Sequence, residues 1–250
     1  MSLFSLSVPD QFAALFFIAA WAAYNGFAER SSAGRPALNV LMNAYRLRWM
    51  LEMQKREVRI FDSALLGMLQ TGTAFFASTS LLGLGATATL IRGADDALRI
   101  FADLPFGILT TRASWEVKCF GLALIFGYAF FKFAWAYRLF NYVAILIGAT
   151  PAATSDLAAE RLNLSIRAAE MNIVAGRNFN RGQRAIFFAV AYLGWFVSPY
   201  VFLGTTSVTL GVMWFRQFAS DARAAVLQNA LGGNATPEFT DPEKAREFFR

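Results

Sequence analysis

The chain has 250 residues, 56% of them hydrophobic and only 16% charged, with a formal net charge of +6, one cysteine and no histidine. Soluble domains run near a quarter charged, so this balance points to a membrane rather than to water. The cations stand in loops beside apolar runs, which argues against a nucleic-acid interface. The missing imidazole removes the commonest metal ligand and general base, and the lone Cys119 excludes an intrachain disulfide and reads as a small buried hydrophobe.

About 20 apolar residues carry a helix across roughly 30 Å of hydrocarbon. Four stretches meet that requirement, at about 12–28, 62–91, 117–147 and 184–214, so the expected fold class is all-α, an integral membrane protein with four transmembrane helices, long cytoplasmic helical extensions and amphipathic connecting helices. Residues 1–228 form the transmembrane domain in this reading, and 229–250 a polar tail with a short helix started at Asp241-Pro242-Glu243-Lys244.

The first span follows ten residues without Lys or Arg, whereas Arg30 and Arg35 follow it. That arrangement suits an uncleaved helix with its N-terminus outside. Residues 29–62 are strongly basic, with Arg30, Arg35, Arg46, Arg48, Lys55, Arg56 and Arg59. Pro36 is placed to start a helix, and Leu38, Leu41, Met42, Tyr45 and Trp49 recur partly at helical spacing, as in a helix lying on the membrane surface or against partner helices. The second span carries a stripe of small and hydroxyl residues, among them Gly67, Gln70, Thr71, Ala74, Ser78 and Gly85. Such a stripe packs helices closely or lines a pore. Residues 92–116 make an acidic loop, broken at Pro105 and anchored by Trp115.

The third span reads as one helix to about Ile147, its membrane part at Lys118–Tyr137. Lys118 is expected to snorkel to the outer interface. Lys132, shallow within the cytoplasmic half, either snorkels too or marks a functional site, with Asp62 as its partner. Thr150-Pro151 ends this helix. Thr154 or Ser155 then caps an amphipathic helix through Leu157, Leu162, Leu164, Ile166, Met171 and Ile173, ending near Gly176, with Arg161, Arg167, Arg177, Arg181 and Arg184 around it. Pro199, inside the fourth span, predicts a kink or a local break. The first and third connections carry twelve Lys and Arg, the N-terminus and second loop three. Positive charge therefore places those two connections in the cytoplasm and both termini outside, periplasmic in a bacterial inner membrane.

Arg138-Leu139-Phe140-Asn141 and Arg177-Asn178-Phe179-Asn180 share the pattern Arg-x-Phe-Asn on the cytoplasmic side. Together with Arg46, Trp49 and Asp62, their Arg138, Asn141, Arg177 and Asn180 form the candidate cytoplasmic interaction residues. Gln70, Thr71, Ser78 and Lys132 are the candidate pore or intramembrane polar residues. Neither a nucleophile elbow nor a phosphate-binding loop occurs, and no catalytic, cofactor or metal residues are assigned.

The stretches Asn43-Ala44-Tyr45-Arg46-Leu47-Arg48-Trp49-Met50, Phe76-Ala77-Ser78-Thr79, Phe131 to Tyr142 and Arg177-Asn178-Phe179-Asn180-Arg181-Gly182 together carry a resemblance. The sequence resembles a family of polytopic membrane proteins of proteobacteria and plants, a domain of unknown function. The resemblance implies a bacterial inner-membrane setting and adds weight to Lys132 and to both Arg-x-Phe-Asn segments. It implies no activity.

The function expected first is a homo-oligomeric channel or passive pore, its axis lined by the second span and its cytoplasmic mouth a basic vestibule favouring anions. The alternative is a non-catalytic accessory or scaffold subunit of a membrane complex. A lipid-modifying enzyme ranks third, since Asp62, Glu57 and Glu29 are available and nothing links them. The expected partners are the lipid bilayer and either further copies of the chain or another membrane protein.

Overall fold

In a computed structural model, residues 6–30, 37–102 and 111–232 are described. Every regular element among them is a helix: α1 (Val8–Arg30), α2 (Leu38–Met53), α3 (Ile60–Arg92), α4 (Ala94–Ala102), α5 (Arg112–Ala149), α6 (Ala158–Tyr192), α7 (Gly194–Val197), α8 (Pro199–Phe218) and α9 (Asp221–Gly232). Among the described residues three helices are long and apolar enough to cross a membrane: α1 over Val8–Glu29, α3, and α5. The roles expected of Pro36, of Pro105 and of the tail helix fall on residues outside the described ones.

Two expectations for the second half of the chain give way. The amphipathic helix does not end near Gly176; α6 runs on for 35 residues to Tyr192. A glycine inside a helix costs about 1 kcal/mol against alanine. Here it is kept because a Cβ at Gly176 would lie 2.6 Å from the Arg46 guanidinium carbon. The stretch read as one fourth span is divided: its start belongs to α6, four residues form α7, and Pro199 opens α8. Proline suits the first position of a helix because its missing N–H is not needed there. Ser198, in an extended conformation, caps that start, its Oγ accepting from the Val201 N–H at 3.0 Å.

The chain forms two compact units, each assembled from three stretches. Unit 1 comprises Met1–Gly26, Phe75–Ala134 and Asn180–Val212. Its core is aromatic. The rings of Trp21, Phe188, Tyr192 and Phe202 surround Phe17 with centroids 5.1 to 5.8 Å away, and Trp195 stacks on Phe202 at 5.0 Å. Gly121 makes room for the Tyr192 hydroxyl, which a Cβ would strike.

Unit 2 comprises Phe27–Ala74, Trp135–Phe179 and Met213–Arg250. Its core takes Leu47, Met50 and Met53 from α2, Leu66 from α3, Leu139, Phe140 and Val143 from α5, and alanines from α6. The spacing of Leu47, Met50 and Met53 puts them on one face of α2, which explains why a helix flanked by so much charge still buries one side. Helix α9 packs against α2.

Helix α3 buries one narrow edge. Beyond Asp62 in its first turn, the buried positions of α3 are Leu66, Thr73, Ser80 and Thr87, spaced seven apart. The hydroxyls of Thr73, Ser80 and Thr87 donate to the carbonyls of Leu69, Phe76 and Gly83 at 2.7 to 2.8 Å, so these groups are satisfied without leaving their own helix.

Candidate functional site

Lys118 does not snorkel. Its side chain is 5% exposed, and Nζ lies 3.0 Å from the Trp195 carbonyl oxygen and 3.5 Å from Asp10 Oδ1. The Trp195 indole N–H donates to that same Oδ1 at 2.7 Å, and the Ser7 hydroxyl donates to Oδ2 at 2.5 Å. The need for this cluster follows from the helix break. In an unbroken helix the Trp195 carbonyl would accept from the N–H four residues on, but that residue is Pro199, which has none. Lys118 supplies the missing donor, and Asp10 supplies the charge that lets a lysine be buried. On the other side of the break, the Thr205 hydroxyl donates to the Ala191 carbonyl at 2.7 Å. Side chains thus satisfy the backbone groups freed on both sides of the break.

In unit 2 the arginines of the basic connection hold helices together. Asp62, fully buried in the first turn of α3, accepts from Trp49 Nε1 at 2.7 Å and from Arg56 Nη1 at 2.5 Å; its place at a helix N-terminus also suits a negative charge. Arg46 Nη1 donates to the Asn172 side-chain and backbone oxygens at 2.6 and 3.1 Å. Burial pulls its guanidinium below the ordinary pKa, yet such a group stays charged at physiological pH. Arg59 donates to the carbonyls of Ile147 and Thr150 through Nη1 and of Pro151 through Nη2, at 3.0, 2.5 and 2.6 Å. A cation is thereby set on the C-terminus of α5, where Pro151 prevents the helix from continuing. Beside it opens a cleft of about 390 Å³, with Arg59, Ser63, Gln70 and Thr150 in its wall.

The candidates read from the sequence fall into three groups. Arg46, Trp49, Asp62, Gln70 and Asn141 are brought into polar contacts of unit 2, Gln70 Nε2 donating to Asn141 Oδ1 at 2.7 Å. Asp62, expected to answer Lys132, is held instead by Arg56 and Trp49, while Lys132 lies over the Tyr128 ring at 5.4 Å. Arg138 is exposed and reaches the Tyr142 hydroxyl on its own helix at 2.7 Å; Arg177 is exposed and Asn180 half-buried. Within the second Arg-x-Phe-Asn segment it is Asn178 that is buried, donating to the Val174 carbonyl at 2.9 Å. Thr71 and Ser78 are exposed.

Sequence reasoning missed the Asp10–Lys118–Trp195 cluster and the Arg59 clamp. The signal for the first was present: an acid opening the first span, and a lysine in an apolar run with a proline four residues beyond a tryptophan. No local pattern points to the second, because its acceptors are backbone carbonyls about ninety residues away.

The family model described as "Protein of unknown function, DUF599" matches residues 12–222, and the chain belongs to that family. No curated protein and no solved structure matches it.

Proposed function

We propose that this member of the DUF599 family is a non-catalytic membrane protein that works as a homo-oligomer and forms a passive pore on its symmetry axis. The observation that carries this reading is the surface of α3. In its most apolar window only 11% of the residues are buried, and Thr71 and Ser78 face away from the rest of the chain. Hydroxyls turned toward lipid gain nothing, whereas hydroxyls turned toward an axis shared by several copies line a path for water or ions. In this reading α8 provides the fourth crossing, 20 residues long. The connections 29–62 and 148–184 lie in the cytoplasm and the termini lie outside, in a bacterial inner membrane. The exposed Arg48, Arg138 and Arg177 stand at the cytoplasmic mouth.

One observation favours the scaffold reading instead. Arg46, Arg56 and Arg59 are engaged within unit 2, and the exposed cations there are matched by exposed Glu52, Glu57, Asp156, Glu160 and Glu170. A strongly anion-selective vestibule is therefore less well supplied than the loop charge implies.

The decisive experiment is native mass spectrometry of gently extracted protein, followed by conductance in planar bilayers. A homo-oligomer whose conductance changes with Ser78→Leu or Lys132→Met supports the pore. A well-folded oligomer in silent bilayers sinks it and leaves the scaffold, and a fixed complex with other polypeptides points to the scaffold directly.

A further inference from the structure

The cleft beside Arg59 in unit 2 holds two charges that the chain leaves unpaired. A guanidinium has five N–H groups, and Arg59 makes three hydrogen bonds, all to backbone oxygens. Its Nε–H has no acceptor, and no carboxylate pairs with it among the described residues. Glu57 lies in the same wall, exposed, and it too enters no ion pair there. Helix α3 begins at this cleft and α5 ends at it. The partial charges of those two helix ends, roughly half a unit each and opposite in sign, offset one another. Arg59 and Glu57 therefore set the electrostatics of the site, one cation and one anion.

The remaining wall and the surroundings are those of a membrane boundary. Ser63, four residues after Arg59, offers a hydroxyl that makes no hydrogen bond among the described residues, and Leu66 and Ile147 are apolar. Outside the cleft, Val58, Ile60 and Phe61 are 61 to 76% exposed and stand among Glu57 and Arg59 in the chain, while Ile145 on α5 is 65% exposed. Water solvates such a mixture poorly. Where headgroups meet acyl chains, both kinds of side chain find their solvent. The lengths agree: α3 has 33 residues and α5 has 38. At 1.5 Å per residue both outreach a hydrocarbon core of roughly 30 Å, which puts their ends among the headgroups.

We infer that this cleft holds the headgroup of a zwitterionic phospholipid, its phosphate on Arg59 and Ser63 and its primary ammonium on Glu57. The inference uses the membrane setting of the proposed function, but neither its pore nor its orientation. The phosphate oxygens accept from the guanidinium N–H groups that the carbonyls leave over and from the Ser63 hydroxyl. The ammonium donates to the Glu57 carboxylate, which a quaternary ammonium, having no N–H, cannot do. A headgroup with a phosphate and no amine meets Glu57 as like charge. The cleft, about 390 Å³, falls within the roughly 300–1,000 Å³ of small-molecule sites, and exposed Ile145 gives the acyl chains an apolar way out.

The test is native mass spectrometry of the full chain in detergent with equal amounts of phosphatidylethanolamine, phosphatidylcholine and phosphatidylglycerol. The ethanolamine lipid should be retained about five-fold over the other two, the upper worth of an exposed ion pair. Glu57→Gln should bring the ethanolamine and choline lipids level. A Cβ at Gly148, in the wall on α5, meets no atom within 4 Å, so Gly148→Leu has room to occupy the cleft and suits a helix better than glycine. It should cut retention of the ethanolamine lipid about ten-fold, the loss of one charge-assisted hydrogen bond, with thermal unfolding no earlier than in the wild type. Equal retention of the three lipids, or an ethanolamine preference that survives both substitutions, overturns the site. Soluble O-phosphoethanolamine, given to delipidated protein, should bind far more weakly than the lipid; equal affinity overturns the lipid as occupant. These outcomes leave the pore as it stands, since copy number and conductance are measured separately. Recovery of the chain in the soluble fraction of cells would overturn the membrane setting and the site with it.

Discussion

Lys118 shows how one buried charge is held in an apolar setting. It is paired with Asp10, backed by the Trp195 indole and given a backbone oxygen to bind. Removing one partner of a buried pair leaves the other uncompensated, at a cost of about 3–5 kcal/mol, whereas replacing both with apolar groups is often nearly neutral. Lys118→Met should therefore lower the stability of the detergent-solubilised protein by an amount in that range, read as an earlier thermal or denaturant transition. Asp10→Leu combined with Lys118→Met should restore much of it. If the double variant is as unstable as the sum of the singles, the two side chains are not coupled and the cluster does not work as described. That both residues are ionisable and close to apolar runs was legible in the sequence. That they meet was not, since 108 positions separate them and the contact depends on where a third residue, Trp195, arrives.

The long helices were legible from their apolar runs, because length and hydropathy alone decide whether a segment can cross hydrocarbon. Their ends were less so. The reading stopped a helix at Gly176 because glycine is a poor helix former, but space for the Arg46 side chain outweighs that propensity. The stripe read along α3 and its buried edge are different faces: Thr73, Ser80 and Thr87 are packed, while Thr71 and Ser78, about half a turn round the helix, are exposed. Adjacent small polar residues carry almost the same signal, and only the neighbours decide which of them is covered. The break before α8 makes its own prediction. Pro199→Ala supplies an N–H at position 199 and lets α7 run on into α8 through Ser198, in which case that N–H reaches the Trp195 carbonyl and Lys118 is no longer its sole donor. In the Lys118→Met background, Pro199→Ala should recover about 0.5–1.5 kcal/mol, the worth of one hydrogen bond. In the wild-type background it should bring little gain. A double-variant cycle in thermal unfolding checks this, and equal effects in both backgrounds would refute it.

For the whole molecule, the arginines have two uses that sequence counts do not separate. Charge in loops orients a membrane protein as it inserts. Once the chain is folded, Arg46, Arg56 and Arg59 bind helix ends, an asparagine and a carboxylate, while Arg48 and Lys55 stay exposed. The proposed orientation predicts that cysteines introduced by Arg48→Cys and Lys55→Cys are shielded from a membrane-impermeant thiol reagent added to intact cells and react once the membrane is opened. A cysteine at Asp95, on exposed α4, should react at once. The reverse pattern would turn the molecule over.

The Asp10–Trp195 contact also bears on time. Those two residues stand 185 positions apart. At synthesis rates of about 5–20 residues per second the N-terminal acid waits roughly 10 to 40 seconds for its indole. In the last part of that interval, once Ala149 has been added, α1 and α5 exist while the Trp195 indole and carbonyl that complete their polar cluster do not. Closure of unit 1 is thus a late event in the life of a new chain. A nascent protein stalled before α7 would present the Asp10 and Lys118 charges without their full complement of partners.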